Sequence, residues 1–333
     1  MGSYRVVASI LLALGIGGCN GGEHNVSTQS STPAGAPVLI GYSALRISLP
    51  VFVAAERGIF RRRGLDVTLR RYDTAQPLVE EVLDGRIDAG GYAALPIIFT
   101  AVARGGATPR LATMLLEDAA HPISRLLKKH GNSSLQSVAE LRGKRIGILP
   151  TVAYRKWLEA VLHEAGLSPT DVSIVPLAPP QQVAALADGG VDALFTNDPM
   201  ATAAVARGVG ELFGAPAPVP AALHADVRFG SFLVGATLAR DRPDVAARLA
   251  ESLDEAIGLI DADQRAARET MASYVRPDER AFVASYPDAR YLPSAQTTGA
   301  DLQREVDTMA RLGILDAPMR VDSWVLGAPP HAP

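Results

Sequence analysis

The stretch Val82 to Gly91, VLDGRIDAGG, has an echo 104 residues later in Leu186 to Phe195, LADGGVDALF. Both copies read Asp, Gly, any residue, a β-branched apolar residue, Asp, Ala, at 84 to 89 and at 188 to 193. A single Asp-Gly followed by an apolar residue is ordinary turn chemistry, in which Gly takes the left-handed position that ends a helix and a strand begins. Here the surroundings agree as well. Each copy follows a Pro-initiated helical pattern, Gln76-Pro77-Leu78-Val79 and Pro180-Gln181-Gln182-Val183, and precedes a short apolar segment. The repeat therefore predicts two helix, turn, strand units of one design, and so two similar lobes rather than one enlarged core.

Length agrees, since 333 residues exceed a typical single core. From Val38 onward short apolar segments alternate with helical ones, which predicts α/β architecture with parallel strands. The expected strands are Val38 to Tyr42, Leu65 to Leu69, Asp88 to Gly90, Leu111 to Leu115, Ile123 to Leu127, Arg145 to Leu149, Val172 to Val175, Ala193 to Thr196 and Ser231 to Gly235. Helices are expected to begin near Pro50, Pro77, Ala94, Leu135, Val152, Pro180, Pro199 and Pro243, with purely helical chain beyond Pro243. Further pairs extend the repetition: Ile40-Gly41 matches Ile146-Gly147, and Gly64-Leu65-Asp66-Val67 matches Gly166-Leu167 with Asp171-Val172.

Upstream, Arg5 is followed by an apolar run from Val6 to Ile16. That run is too short to span a bilayer, which takes roughly 20 residues, and fits the apolar region of an export signal. Ile16-Gly17-Gly18-Cys19 follows and resembles a bacterial lipobox, with Cys19, the only cysteine in the chain, as the lipidated residue. The expected division is 1–18 signal peptide, 19–37 lipid anchor and tether, 38–117 first part of lobe 1, 118–225 lobe 2, and 226–333 return to lobe 1 with C-terminal helices. Residues 20–37 are rich in Gly, Ser, Thr and Pro and carry little to bury. Such a tether reaches about 23 Å. The body is then exported and held at the periplasmic side of the envelope.

A formal charge of −3 gives no global field for nucleic acid, and the arginines at 61–63 and 70–71 lack aromatic interleaving. The six histidines, at 24, 121, 130, 163, 224 and 331, show no metal-ligand spacing, and neither a phosphate-binding glycine loop nor a nucleophile elbow occurs. No catalytic residue, cofactor or metal is expected.

The run LIGYSALRISLPVFVAAERGIFRRRGLDVTLRRYD resembles the N-terminal region of periplasmic solute-binding proteins of ABC importers, in the nitrate, sulfonate, taurine and pyrimidine-precursor group. LQSVAELRGKRIGILP, HEAGLSPTDVSIVPLAPPQQVAALADGGVDALF and FLVGATLARDRPDVAARL agree in order, so the resemblance covers nearly the whole body. It implies a type II periplasmic binding protein fold: two α/β lobes joined by a two-strand hinge, ligand between them, and a helical C-terminal region. It also implies a monomer that closes on a small polar or anionic solute and delivers it to a membrane permease with its ATPase. Two other uses of the same fold stay open: an enzyme similar to chorismate dehydratases or pyrimidine synthases, and a ligand-sensing lipoprotein. The export signal and the lack of the synthases' cysteine-rich motif speak against the enzyme.

In open α/β sheets ligands bind beyond the carboxyl ends of the strands, against helix N-termini whose N–H groups suit anions. Four loops have that position. In the first, Arg46 can fork an oxyanion and Ser43 can donate, while Tyr42 lines the cleft or fills core and Ser48 caps the next helix. The second offers Gly91, for close backbone approach, and Tyr92. The third carries Thr151, as donor or N-cap, and Tyr154. In the fourth, Asn197 and Asp198 make a polar, acidic loop. Asp198 either faces the cleft, where it would favour a ligand with an amine, or caps the Pro199 helix. Ser231, at the start of the last strand, completes the expected ligand set.

Overall fold

The computed structural model describes residues 36–328. The expected leader, Cys19 and all but the end of the tether lie outside these residues.

Among the described residues, eleven strands form two sheets. The six-stranded sheet is built from β1 (Val38–Ser43), β2 (Val67–Tyr72), β3 (Ala89–Ala94), β4 (Arg110–Glu117), β10 (Val227–Val234) and β11 (Arg290–Leu292), in the order β11-β4-β10-β3-β1-β2. The five-stranded sheet is built from β5 (Arg125–Lys129), β6 (Arg145–Ile148), β7 (Ser173–Pro176), β8 (Ala193–Thr196) and β9 (Gly210–Leu212), in the order β7-β6-β8-β5-β9. In each, three strands run parallel with an antiparallel neighbour beside them, β10 in one and β5 in the other. The chain crosses between sheets twice, at residues 118–124 and 213–226.

The repeated phrase does the same work in both lobes. Gly85 and Gly189 take φ of 71° and 74° after the helices Ala75–Leu83 and Pro179–Ala187. Asp88 then exchanges two hydrogen bonds with Leu39 at the start of β1, its carboxylate accepting from Leu39 N at 2.8 Å and its own N–H donating to Leu39 O at 3.0 Å. Asp192 repeats this with Arg145 at the start of β6, at 2.8 Å for both bonds. The carboxylate thus satisfies an N–H at the strand end and sets the pairing of the two parallel strands. Register agrees: Ile40 pairs with Ala89, and Ile146 with Ala193. Gly41 and Gly147 lie one residue on, where a Cβ would stand 2.7 Å from Ile87 Cδ1 in one lobe and 2.7 Å from Leu194 Cδ2 in the other. Neighbouring side chains fill the space over both glycines, so an added Cβ would displace them.

All nine expected strands are present, Ala193–Thr196 with the expected bounds and the others displaced at one or both ends by up to four residues. Two short ones, β9 and β11, carried no sequence expectation. The region beyond Pro243 is helical in Pro243–Ala262, Gln264–Glu269 and Gly299–Arg311, but β11 corrects the expectation that it is helical throughout. Arg-Tyr-Leu is too short to show alternation, and its pairing with Leu116, Leu115 and Met114 of β4 decides its conformation. Among the described residues no helix is long and apolar enough to cross a membrane.

Candidate functional site

The loops after β1 and β8 meet between the lobes. Arg46 follows β1 and is only 5% exposed, while the Asp198 side chain, in the loop after β8, is 4% exposed. Arg46 Nη2 stands 3.8 Å from Asp198 Oδ2. The guanidinium is otherwise committed to backbone: Nη1 donates to Pro287 O and Asp288 O at 2.9 Å, and Nη2 to Pro122 O at 2.8 Å. One arginine therefore ties the first lobe, the outgoing crossing segment and the C-terminal segment together, with the second lobe's carboxylate at its edge.

Of the two roles left open for it, Asp198 fills the one at the helix that follows. Its Oδ1 accepts from Thr202 N at 3.1 Å and Thr202 Oγ1 at 2.6 Å, holding the start of the helix Met200–Ala206. Its Oδ2 is buried and accepts no hydrogen bond. Beside it, Tyr154 in the first turn of the helix Val152–Glu164 packs its ring on Trp157 and Phe195 at centroid separations of 5.4 and 5.5 Å. Its hydroxyl is buried against the Asn197 side chain. Burial first, then the fields of Glu117 and Asp198, push its pKa well above the usual tyrosine value. Thr151 caps this helix, its Oγ1 accepting from Tyr154 N at 3.2 Å. Asn197 is half-buried, and its carbonyl accepts from Ala201 N at 3.0 Å.

Three further groups at this cluster were not anticipated. Glu117 ends β4 fully buried, and its Oε1 accepts from Ile123 N at 3.0 Å, Ser124 N at 2.6 Å and Ser124 Oγ. Burial raises its pKa, opposed by these three donors and by the Arg46 charge. Ser124 Oγ in turn accepts from Val219 N at 3.4 Å, so Glu117 links both crossing segments. Arg125, half-buried at the start of β5, feels Asp198 and Glu117 as attractive and Arg46 as repulsive, and burial lowers its pKa. Tyr286 is buried in the C-terminal segment, its pKa raised by burial and by the charges of Asp198 and Glu279. A usable signal was present in the acidic pair Glu117-Asp118, which ends an otherwise apolar strand at a lobe boundary. Asp118 holds the turn of the crossing: it accepts from Ala120 N and His121 N at 2.9 Å and pairs with Arg290 of β11 at 3.0 Å. Burial opposes its ionisation, but Arg290, His121 and the two amides prevail and its pKa falls to about 2.

The other expected residues lie elsewhere. Tyr42 packs edge-on against Phe52 and Tyr274, at 5.3 and 5.6 Å. Ser43, at the end of β1, is buried with its Oγ unpartnered. A Cβ on Gly91 would lie 3.0 Å from Val51 Cγ2 and 3.1 Å from Gly41 O, so this glycine admits close packing inside the first lobe. Tyr92 is fully buried at φ 59°, where β3 carries one residue more than β10 between paired positions, a β-bulge. Its hydroxyl bonds Thr113 Oγ1 at 2.5 Å, and Ser231 Oγ donates to Thr113 O at 2.9 Å. Tyr92 and Ser231 thus share Thr113 within the six-stranded sheet rather than joining the cluster around Arg46. Ser48 does not cap with its side chain as expected; it donates to Gly91 O at 2.6 Å. Of the anticipated set, the structure brings together Arg46, Tyr154, Asn197 and Asp198.

Two α/β lobes joined by paired crossing segments, with the loops at their strand ends in contact, define the type II periplasmic binding protein fold. The alkanesulfonate-binding protein SsuA from Xanthomonas axonopodis pv. citri, solved bound to MOPS, superposes with a TM-score of 0.66 at 27% identity, covering 89% of this chain and 99% of that one. The NMT1-like family matches residues 31–276, and the chain belongs to that family. Among curated relatives, the nitrate import ATP-binding protein NrtC of a Synechocystis species is 26% identical over 186 residues, 51% of this chain and 28% of that protein. The 4-amino-5-hydroxymethyl-2-methylpyrimidine phosphate synthase of Schizosaccharomyces pombe is 26% identical over 137 residues, 41% of this chain and 38% of that protein. The chain therefore spans roughly a third of the length of these two relatives.

Proposed function

We propose that this chain is the solute-binding component of an ABC import system, which captures a small polar or anionic organic solute between its lobes and presents it to a membrane permease with its ATPase. Lobe 1 comprises residues 38–117 and 226–333, lobe 2 residues 118–225, and the ligand set is drawn from the loops after β1, β6 and β8. The observation that carries the reading is the buried carboxylate oxygen Asp198 Oδ2, which accepts no hydrogen bond and has only Arg46 Nη2 at 3.8 Å, where the lobes meet beside the buried Tyr154 hydroxyl. Buried polar atoms without partners are uncommon because each costs about 1–3 kcal/mol, and a polar solute enclosed there would supply the missing bonds. Closure is then a hinge motion about the crossing segments, favoured by a solute that touches both lobes. Export and lipid attachment through Cys19, in a monomeric protein, complete the proposal; they rest on the lipobox-like sequence.

Native mass spectrometry of the purified chain, followed by a thermal-shift screen over sulfonates, nitrate-like anions, pyrimidines and carboxylates, tests this. A ligand at a hundred times its dissociation constant adds about 2.7 kcal/mol and moves the melting point by several degrees. A bound mass or a shift within one class supports the reading, and silence throughout contradicts it. The synthase relative favours one alternative, a same-fold enzyme, which would show as turnover of a pyrimidine-class substrate by the pure protein.

A further inference from the structure

The described chain passes between the lobes at 118–124 and 213–226, yet one more stretch of lobe 1 reaches lobe 2. Residues 276–288 precede β11 and join neither sheet. Their backbone bonds are local: Glu279 N donates to Arg276 O at 3.0 Å, Phe282 N to Glu279 O at 2.9 Å and Tyr286 N to Val283 O at 3.3 Å. Both ends of the stretch are held in lobe 1. Just before it, Val275 is buried and its N–H donates to Met271 O at 3.1 Å. At its far end Arg46 Nη1 donates to Pro287 O and Asp288 O at 2.9 Å, and the buried Arg268 pairs with the Asp288 carboxylate. The Gln264 side chain then exchanges two bonds with Ala289, at 2.8 and 3.2 Å.

The middle of the stretch faces the other lobe. Its helical turn Arg280–Ser285 packs on the lobe 2 helix Met200–Ala206. Arg207, exposed at the end of that helix, sets its guanidinium carbon 5.4 Å from the ring centroid of the half-buried Phe282, within the range of a cation–π contact. Tyr286 is buried within the field of Asp198. A stretch without sheet bonds, pinned at both ends on one lobe, can leave the other lobe with few bonds broken.

We propose that residues 276–288 are a latch on lobe closure: the contact of Phe282 with Arg207 holds the helix Met200–Ala206 against lobe 1, and the lobes part about their hinge when it breaks. Arg46 and Arg268 fix the base of the latch. The latch depends on two lobes and a hinge, whichever solute they enclose.

Hydrogen exchange of the full chain without added solute, in Arg207→Gln, Phe282→Leu and the double variant, tests the latch. Arg207 is exposed, so Arg207→Gln keeps the fold and carries the test even if Phe282→Leu, which preserves apolar bulk, lowers the melting point. Amides at 196–207 in lobe 2 and at 280–288 in lobe 1 should exchange about two- to fivefold faster in either single variant, the range for a cation–π contact at an exposed site. Those of β6 and β7 should stay as in the native chain. The double variant should go no further than the single ones, because the same contact is lost in each. Exchange that quickens only at 280–288, that remains native on both sides, or that adds up in the double variant overturns the latch and leaves solute binding standing. Silence in the thermal-shift screen contradicts solute binding and leaves the latch standing.

Discussion

The two copies of the repeated unit share a scaffold and differ where their strands end. In both, a helix stops at a left-handed glycine, an aspartate bonds the neighbouring strand, and a glycine in that strand leaves room for packed neighbouring side chains. After Ala89 the first copy continues Gly-Gly-Tyr and turns inward, burying Tyr92 in a bulge against Thr113. After Ala193 the second copy continues Leu-Phe-Thr-Asn-Asp and delivers a carboxylate to the lobe boundary. The first lobe contributes its charge from the loop after β1 instead, through Arg46. Repetition thus marks structural residues, and chemistry sits in the few positions where the copies diverge.

The largest expected effect breaks the first copy at its point of divergence. Tyr92→Ala should cost about 3–5 kcal/mol in a denaturant titration, as for other buried aromatics, while Tyr92→Phe loses only the Thr113 bond, about 1 kcal/mol. Similar losses for both would mean that the hydroxyl, not the ring, holds the bulge.

Next comes a pH dependence confined to the first lobe. Glu305, on the helix Gly299–Arg311, accepts from Arg228 N of β10 at 3.0 Å, and burial, outweighing that bond and the Arg228 charge, raises its pKa to about 7. The folded state keeps this proton where the unfolded chain, titrating near 4.5, has lost it, so stability falls as pH rises from about 4.5 to 7. The total is about 3 kcal/mol. Melting curves from pH 5 to 8 should decline for the native chain more steeply than for Glu305→Gln; parallel curves would remove the assignment.

Sharper still as a comparison are the paired glycines. Gly41→Ala and Gly147→Ala should each cost about 1–3 kcal/mol by overpacking, because both Cβ atoms would stand 2.7 Å from a side-chain carbon. A neutral substitution in one lobe alone would show that the side chains over that glycine can give way and that the two scaffolds are not equivalent. The smallest effect concerns the repeated aspartates. Asp88→Ala should cost about 1–2 kcal/mol and Asp192→Ala less, because Leu39 is half-buried whereas Arg145 is exposed and its N–H can turn to water.

What the sequence made legible follows from this division. Helix stops, parallel strands and the repeat depend on local chemistry, the 3.6 and 2 residue periods and glycine conformations, and these are written in consecutive residues. Arg46 and Asp198 could be read as charged residues at strand ends, but not as neighbours, because their contact joins positions 152 residues apart through the packing of two lobes. Glu117 was passed over because it ends an apolar strand and its partners, Ile123 and Ser124, become visible only when the crossing segment bends back. Tyr92 and Ser231 looked like cleft residues from their place near strand ends; the bulge, a tertiary property of β3 against β10, turns Tyr92 into the sheet's own packing.

The central claim is that both lobes contribute to one site. Hydrogen exchange of the full chain, with and without the solute that binds most tightly, addresses it directly. The account predicts protection at 43–48, 151–154 and 196–202 together, in both lobes at once. Protection confined to a single lobe, or absent from all three segments, would contradict it.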